Sequence, residues 1–296
     1  MTIGRVTQNM MSSQALSGLQ TSLGRLATIH EQLSTGRVIN RPSDDPAGTA
    51  SAMRLRSLLA DQQQYTRNAD DGQGWLDQAD TALGSMTDRV RRAHELALQG
   101  ANAGAIGPQG REALAAEVDQ IRSDLIASAN TSYLGRPIFG GITAGGRAYD
   151  DAGTYVGVPG EVQRTVAVGV QVRVDVDGPL AFGPAGDAVF DHLTALSTAL
   201  RGNDQAGIAT AVTKLGVDGD RITTTRAAVG ARAARIERAG VEAADAGLTM
   251  TSALSEIENT DLPRATVELQ MQEVAYQAAL ASTARVMQPS LLDFLR

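Results

Sequence analysis

Ser34-Thr35-Gly36-Arg37-Val38-Ile39-Asn40-Arg41-Pro42-Ser43-Asp44-Asp45-Pro46 reads as a helix stop followed at once by a helix start. Gly36 suits the left-handed position just past a helix C-terminus, because it carries no Cβ to clash there. Asp45 is suited to cap the next helix, with Pro46 at its first position, where a missing N–H costs nothing. Pro42 and Asp44 lie in the connection between them. The break is therefore specified chemically at both ends, and a long helix is expected on each side.

Upstream, Ile3, Val6, Met10, Leu16, Leu19, Leu23, Leu26, Ile29 and Leu33 recur at spacings of mostly three and four, the mark of an amphipathic helix starting at the first residue. Downstream, a heptad runs through Leu58, Gln62, Tyr65, Ala69, Gly72, Leu76, Ala79, Leu83, Met86, Val90, Ala93 and Ala97, interrupted chiefly at Gly72–Gly74. A helix from Pro46 to about Gln99 would be about 75 Å long, a coiled-coil or long-bundle element rather than part of a small globule. Trp75, just off that seam, is expected to reach across to another helix. Glycines and Pro108 make 100–110 a loop, after which Leu114, Val118, Ile121 and Leu125 mark a third helix folding back antiparallel on the second.

From Tyr133 to about Gly186 the pattern changes. Val162, Val166, Val168, Val170, Val172, Val174 and Val176 all fall on even positions, with mostly polar or small residues between them. This period of two predicts strands with one buried face, with Gly169 marking a turn or bulge. Helix is expected again from about Asp187 to Arg201 and from Asp204 to about Asn259. A last helix, with Asp261 as its cap, carries Val267, Leu269, Met271, Val274, Tyr276 and Leu280 before Pro289.

The fold class is thus mainly α with a small β insert: a long antiparallel helical bundle whose N- and C-terminal helices pair. The expected division is 1–41 paired with 262–296, an outer bundle from 42–133 and 187–261, and a β-rich insert over 134–186. Residues 1–41 hold four Arg against one Glu, and residues 245–296 hold seven acids against three Arg, so the two arms carry opposite charge. Two amphipathic arms bury little alone, and neighbouring copies are expected to complete their burial.

Composition narrows function. There is no Cys, hence no disulfide framework, thiol chemistry or cysteine zinc site. The net charge of −7 opposes a broad nucleic-acid surface. No apolar run approaches the roughly 20 residues of a membrane span, and Met1–Met10 has no apolar core of a cleaved signal peptide. Aromatics are 3% of residues, which suits slim, close-packed helices.

The search for chemistry yields no catalytic, cofactor or metal site. The three His are scattered, without metal-ligand spacing. Asp175-Val176-Asp177-Gly178 lacks the twelve-residue calcium pattern and reads as a strand end and turn. Asp44-Asp45 could be a carboxylate pair, yet the flanking prolines and helix start favour capping. The glycines of 140–146 lack the strand-before, helix-after setting of a phosphate loop. Two non-enzymatic classes remain open: a polymerising or ring-forming subunit that self-associates through both termini, and a coiled-coil binding module such as a secretion-tip or adhesion protein.

Several stretches resemble the bacterial flagellins and the hook-associated proteins related to them. They include 33–48, Gly74-Trp75-Leu76-Asp77-Gln78-Ala79-Asp80, His94-Glu95-Leu96-Ala97-Leu98-Gln99-Gly100-Ala101-Asn102 and Ile257-Glu258-Asn259-Thr260-Asp261-Leu262, together with Tyr276-Gln277-Ala278-Ala279-Leu280-Ala281 and the tail 291–295. The opening Arg5-Val6-Thr7-Gln8-Asn9-Met10-Met11, the run Leu134-Gly135-Arg136-Pro137-Ile138-Phe139-Gly140-Gly141 and the tail resemble the hook-associated branch more than flagellin itself.

The resemblance implies a secreted, extracellular structural subunit of the flagellum, exported through the type III apparatus without a cleaved signal. It implies an adaptor between a preceding hook-associated protein and the flagellin filament, self-associating in a ring or helical lattice, with an export chaperone at its C-terminal region and no nucleic-acid or membrane partner. The candidate interface residues are Ile3, Val6, Met10, Leu19, Leu23, Leu26, Leu33, Leu269, Tyr276, Leu280, Leu291, Leu292, Phe294 and Leu295. Gly36, Pro42, Asp44, Asp45 and Pro46 form the connecting spoke. Flagellin itself is the alternative within the family.

Overall fold

The computed structural model describes residues 8–102 and 107–287. Its elements are α1 (Gln8–Thr35), α2 (Pro46–Ala101), α3 (Pro108–Ala129), β1 (Ser132–Tyr133), β2 (Arg136–Pro137), β3 (Gln163–Ala167), β4 (Val170–Arg173), α4 (Gly178–Phe182), α5 (Val189–Gly202), α6 (Gln205–Glu258) and α7 (Leu262–Met287). The protein is mainly α, with two small two-stranded antiparallel sheets between the helices. Contacts group the chain into two units, residues 61–247 and a second unit drawn from both ends, 1–60 with 248–296.

In the 61–247 unit the α2 heptad is dry from Ala69 onward: Leu76, Ala79, Leu83, Met86, Val90, Ala93 and Ala97 are all buried. The facing helix α6 buries Ile208, Leu215, Ile222, Val229 and Ile236, one residue in every seven. A strict seven-residue repeat keeps one stripe toward its partners and imposes a left-handed supercoil. Arg226 of α6 grips Asp80 of α2 with two hydrogen bonds, of 2.8 and 3.1 Å. α3 returns antiparallel along α2, as Arg92–Glu117 (2.8 Å) and Arg89–Asp124 (3.7 Å) show, and packs on α5.

The valine run folds into the β3–β4 hairpin. Gln163 pairs with Arg173 and Arg164 with Val172, so even positions face even positions. Val162, Val166, Val172, Val174 and Val176 accordingly share one buried face. Val168 is the exception at 84% exposed, because it sits at the tip beside Gly169, whose φ of +70° makes the turn. The hairpin is tied to α2 by Asn68 Nδ2 donating to Thr165 O (2.7 Å) and by the Arg164–Asp71 pair (2.6 Å). Asp175 is fully buried. Its carboxylate accepts from the Val162 N–H (2.7 Å) and from Arg173, so it serves the hairpin's closure.

Several sequence expectations are corrected. α3 begins at Pro108 rather than after Gly110, since proline is well placed in a first turn. A short helix, α4, lies within the segment read as strand and turn. Trp75 is buried, but its partner is the β1–β2 hairpin: its ring meets Tyr133 edge-on at 5.8 Å, with the Arg136 guanidinium 5.7 Å above it. Gly72 and Gly74 do not interrupt α2. They are recesses that let neighbours approach, since a Cβ on Gly72 would lie 2.8 Å from Ile236 Cδ1 and one on Gly74 2.5 Å from Tyr133 Oη. Gly74→Ala gains helix propensity of about 1 kcal/mol yet drives the Tyr133 ring against Trp75. A net loss of about 1–3 kcal/mol is expected from overpacking, measurable as a lower midpoint in urea unfolding.

Candidate assembly interface

In the unit built from the two ends of the chain, α1 packs antiparallel on α7. Half-buried or buried seam positions on α1 include Ala15, Leu19, Ser22, Leu26, Ile29 and Leu33, with Glu31 and Gln32 half-buried beside them; on α7 they are Ala265, Leu269, Gln272, Tyr276, Ala279 and Thr283. Both series alternate steps of three and four, the spacing of a two-stranded coiled-coil seam. Among the described residues no ion pair joins α1 to α7.

The seam ends in a backbone latch. Gly36 takes φ +70° and stops α1, as its lack of a Cβ allows. The Thr260 N–H then donates to Gly36 O (2.9 Å), and the Val38 N–H donates to Glu258 O (2.7 Å), around an antiparallel bridge between Arg37 and Asn259. Glu258 closes α6, where the helix dipole disfavours a carboxylate. Arg56 on α2 compensates with a 2.7 Å ion pair to this buried side chain.

The connection is built from its two aspartates. Asp44 Oδ2 accepts from the N–H groups of Asn40 (3.1 Å) and Arg41 (2.8 Å), folding the segment that contains Pro42 back on itself. Asp45 Oδ1 accepts from Ala47 (3.1 Å) and Gly48 (2.9 Å), capping α2 with Pro46 at its first position. Asp261 caps α7 through the Arg264 N–H (3.1 Å). Asp44 and Asp45 each serve the local backbone through one carboxylate oxygen, the turn and capping roles these residues suit. No group of three His, Asp or Glu side chains that could hold a metal occurs among the described residues, and no described helix is long and apolar enough to cross a membrane.

The predicted interface residues divide. Leu19, Leu26, Leu33, Leu269 and Tyr276 lie in the α1–α7 seam, whereas Met10, Leu23 and Leu280 are exposed. Ile3, Val6, Leu291, Leu292, Phe294 and Leu295 fall outside the described residues. On the side of α7 turned away from the seam, Val267, Met271 and Val274 are 57%, 68% and 66% exposed, a continuous apolar stripe at steps of four and three. Leu16 and Leu23, one heptad apart, add exposed apolar area on α1. The Arg56–Glu258 latch was not anticipated, because nothing in two single charges far apart in sequence announces a pair.

Asp45→Ala removes the carboxylate that accepts from two N–H groups at the start of α2. It is expected to cost about 1 kcal/mol, seen as earlier chemical denaturation of the unit formed by the chain ends.

Comparison with known proteins bears on this arrangement. The family described as the bacterial flagellin N-terminal helical region matches residues 6–144. Flagellar hook-associated protein 3 of Escherichia coli (strain K12) is 28% identical over 197 residues, covering 66% of this chain and 59% of that protein's length. Flagellin FlaB1 of Treponema pallidum is 27% identical over 285 residues, covering 90% of this chain and 91% of that one. In fold, the chain is similar to the crystal structure of Bacillus cereus FlgL, with a TM-score of 0.61 and 23% identity over 68% of this chain and 99% of that one.

Proposed function

We propose that this chain, a flagellin- and FlgL-like protein in sequence and fold, is a structural subunit of the bacterial flagellum that joins a preceding hook-associated protein to the flagellin filament. It carries out no catalysis. The observation that carries the reading is the exposed stripe Val267–Met271–Val274 on an otherwise coiled-coil-paired terminal helix. In this reading residues 1–41 and 262–296 make the subunit contacts, 42–133 and 187–261 form an outer bundle, and 134–186 face outward. Residues 42–46 are the spoke between the first two.

The energetics follow from burial. Each Val or Met side chain taken fully out of water contributes roughly 1.5–3 kcal/mol, so the stripe adds to the drive for association once copies meet in register, against the entropy lost on binding. Contacts that do not close on themselves add subunits head to tail along a helix. Export precedes assembly: the chain leaves unfolded through the type III apparatus, with a chaperone on its C-terminal region. Its place is extracellular, at the hook–filament junction.

Electron microscopy of a labelled chain tests the place directly: label confined to one short zone next to the hook supports the junction reading. A second reading, filament subunit, is favoured by the near full-length match to a spirochaete flagellin, and label along the whole filament would establish it instead. Met271→Asp tests the surface. Assembly onto filament ends should fall at least about tenfold while the helical circular dichroism of the free protein stays unchanged. Unimpaired assembly would reject the stripe as an interface. Deleting 291–296 is expected to impair assembly or chaperone binding and to leave the 61–247 unit folded, as read from its unfolding transition.

A further inference from the structure

The buried repeat of α6 has a second row, Ala211, Asp218, Thr225 and Arg232, offset by three from the apolar one. Asp218 occupies a core position there and is 1% exposed. Its Oδ2 lies 2.6 Å from Nδ1 of His192 on α5, and its Oδ1 accepts from Arg221 at 3.1 Å. The other ring nitrogen, Nε2, lies 3.0 Å from Asp187 Oδ1, in the segment leading into α5. Asp187 also accepts from Lys214 Nζ at 2.6 Å. The chain's only lysine therefore starts a five-membered series, Lys214–Asp187–His192–Asp218–Arg221, that leaves α6, crosses to α5 and returns.

The other charged groups lining the cavity beside His192 and Lys214, namely Asp191, Arg122 and Asp204, serve the backbone, Asp204 Oδ1 accepting from the Gly207 N–H (3.1 Å). Asp191 accepts from the Ala188 N–H (3.1 Å), and Arg122 of α3 donates to the carbonyls of Phe190 (3.3 Å) and Ala152 (2.5 Å). Burial pushes the Asp218 carboxyl up, opposed by His192 and Arg221. Lys214, and after it His192, holds the Asp187 carboxyl below the usual carboxylate range.

An ionised carboxylate only accepts, and His192 faces one at each ring nitrogen. A ring with two N–H groups satisfies both; a neutral ring satisfies one. We propose that His192 is a proton-dependent lock: the doubly protonated ring fastens α5 and its leading segment to α6, and the neutral ring releases Asp187 while keeping Asp218. The side that lets go follows from what each carboxylate retains. Asp218 is buried and would be left with Arg221 alone, whereas Asp187 is half exposed and keeps Lys214. Acid conditions therefore close the lock and alkaline conditions open it on the Asp187 side, at the segment 183–187.

Amide hydrogen exchange on the full chain tests this from acid to alkaline pH, over a range wide enough to take the ring from doubly protonated to neutral. Rates are corrected for the intrinsic pH dependence of exchange. Protection at Asp187 and Ala188, whose N–H groups donate to Pro184 O and Asp191 Oδ2, should fall about tenfold across that range, the worth of one charged hydrogen bond. Asp187→Asn keeps size and fold and offers the neutral ring an N–H of its own, so it should flatten the dependence; His192→Asn should abolish it. Equal protection at both ends of the range in the unsubstituted protein would overturn the proposal. So would a pH dependence that persists unchanged in Asp187→Asn, which does not disturb the buried Asp218 contact.

Discussion

Two helices that meet along a single seam leave their outer faces to water, whatever their sequence. In the unit made from the two chain ends, α1 and α7 meet through half-buried heptad positions, with Ile29 and Ala265 the buried pair. Any apolar residue beyond the seam must then stay wet or find another molecule. In the 61–247 unit, α2 and α6 are packed by α3, α5 and the hairpins, and the same kind of heptad goes dry. Along α2 the repeat from Ala69 to Ala97 is sheltered, whereas Leu58 is exposed because the sheltered stripe there passes through Ala52, Leu55 and Leu59 instead. Geometry, more than hydrophobicity, decides which seams are finished inside the molecule and which are offered outward.

The latch at Gly36 and Asn259 turns that geometry into a defined object. A two-stranded coiled coil could slide by a heptad with little loss, because its seam residues repeat. Backbone hydrogen bonds at one end, reinforced by Arg56 on the buried Glu258, fix which residue faces which. The caps at Asp45 and Asp261 set where α2 and α7 begin. Register is thus settled by polar groups at the helix ends, and the apolar groups between them supply the cohesion.

What the sequence disclosed follows from how local each feature is. The stop at Gly36, the cap at Asp45, the heptad of α2 and the parity of the valine run depend on residues within a few turns of one another, and all four appear in the fold. The valine run also shows the limit of such patterns, since Val168 obeys the parity yet lies at the tip. Features that join distant segments were hidden. Trp75 finds Tyr133 rather than a helix. Gly72 and Gly74 read as weaknesses until Ile236 and Tyr133 are seen filling the space they leave. His192 seemed isolated because its partners lie 5 and 26 residues away, on either side. The α1–α7 seam was blurred in sequence by Gln272 and Thr283, which occupy apolar positions. The exposed stripe on α7 was present among the predicted apolar positions, but only the fold separates it from the face that pairs with α1.

The placement of Trp75 has an optical consequence. It is the chain's only tryptophan, and it sits where the β1–β2 hairpin docks on α2. Its emission therefore reports on the 61–247 unit alone and is blind to the coiled coil of the chain ends, whereas far-ultraviolet ellipticity is dominated by all the long helices together. A change in ellipticity with no matching change in emission is therefore assigned to the chain ends. Heating or mixing experiments can follow the ends and the middle separately in one unlabelled sample.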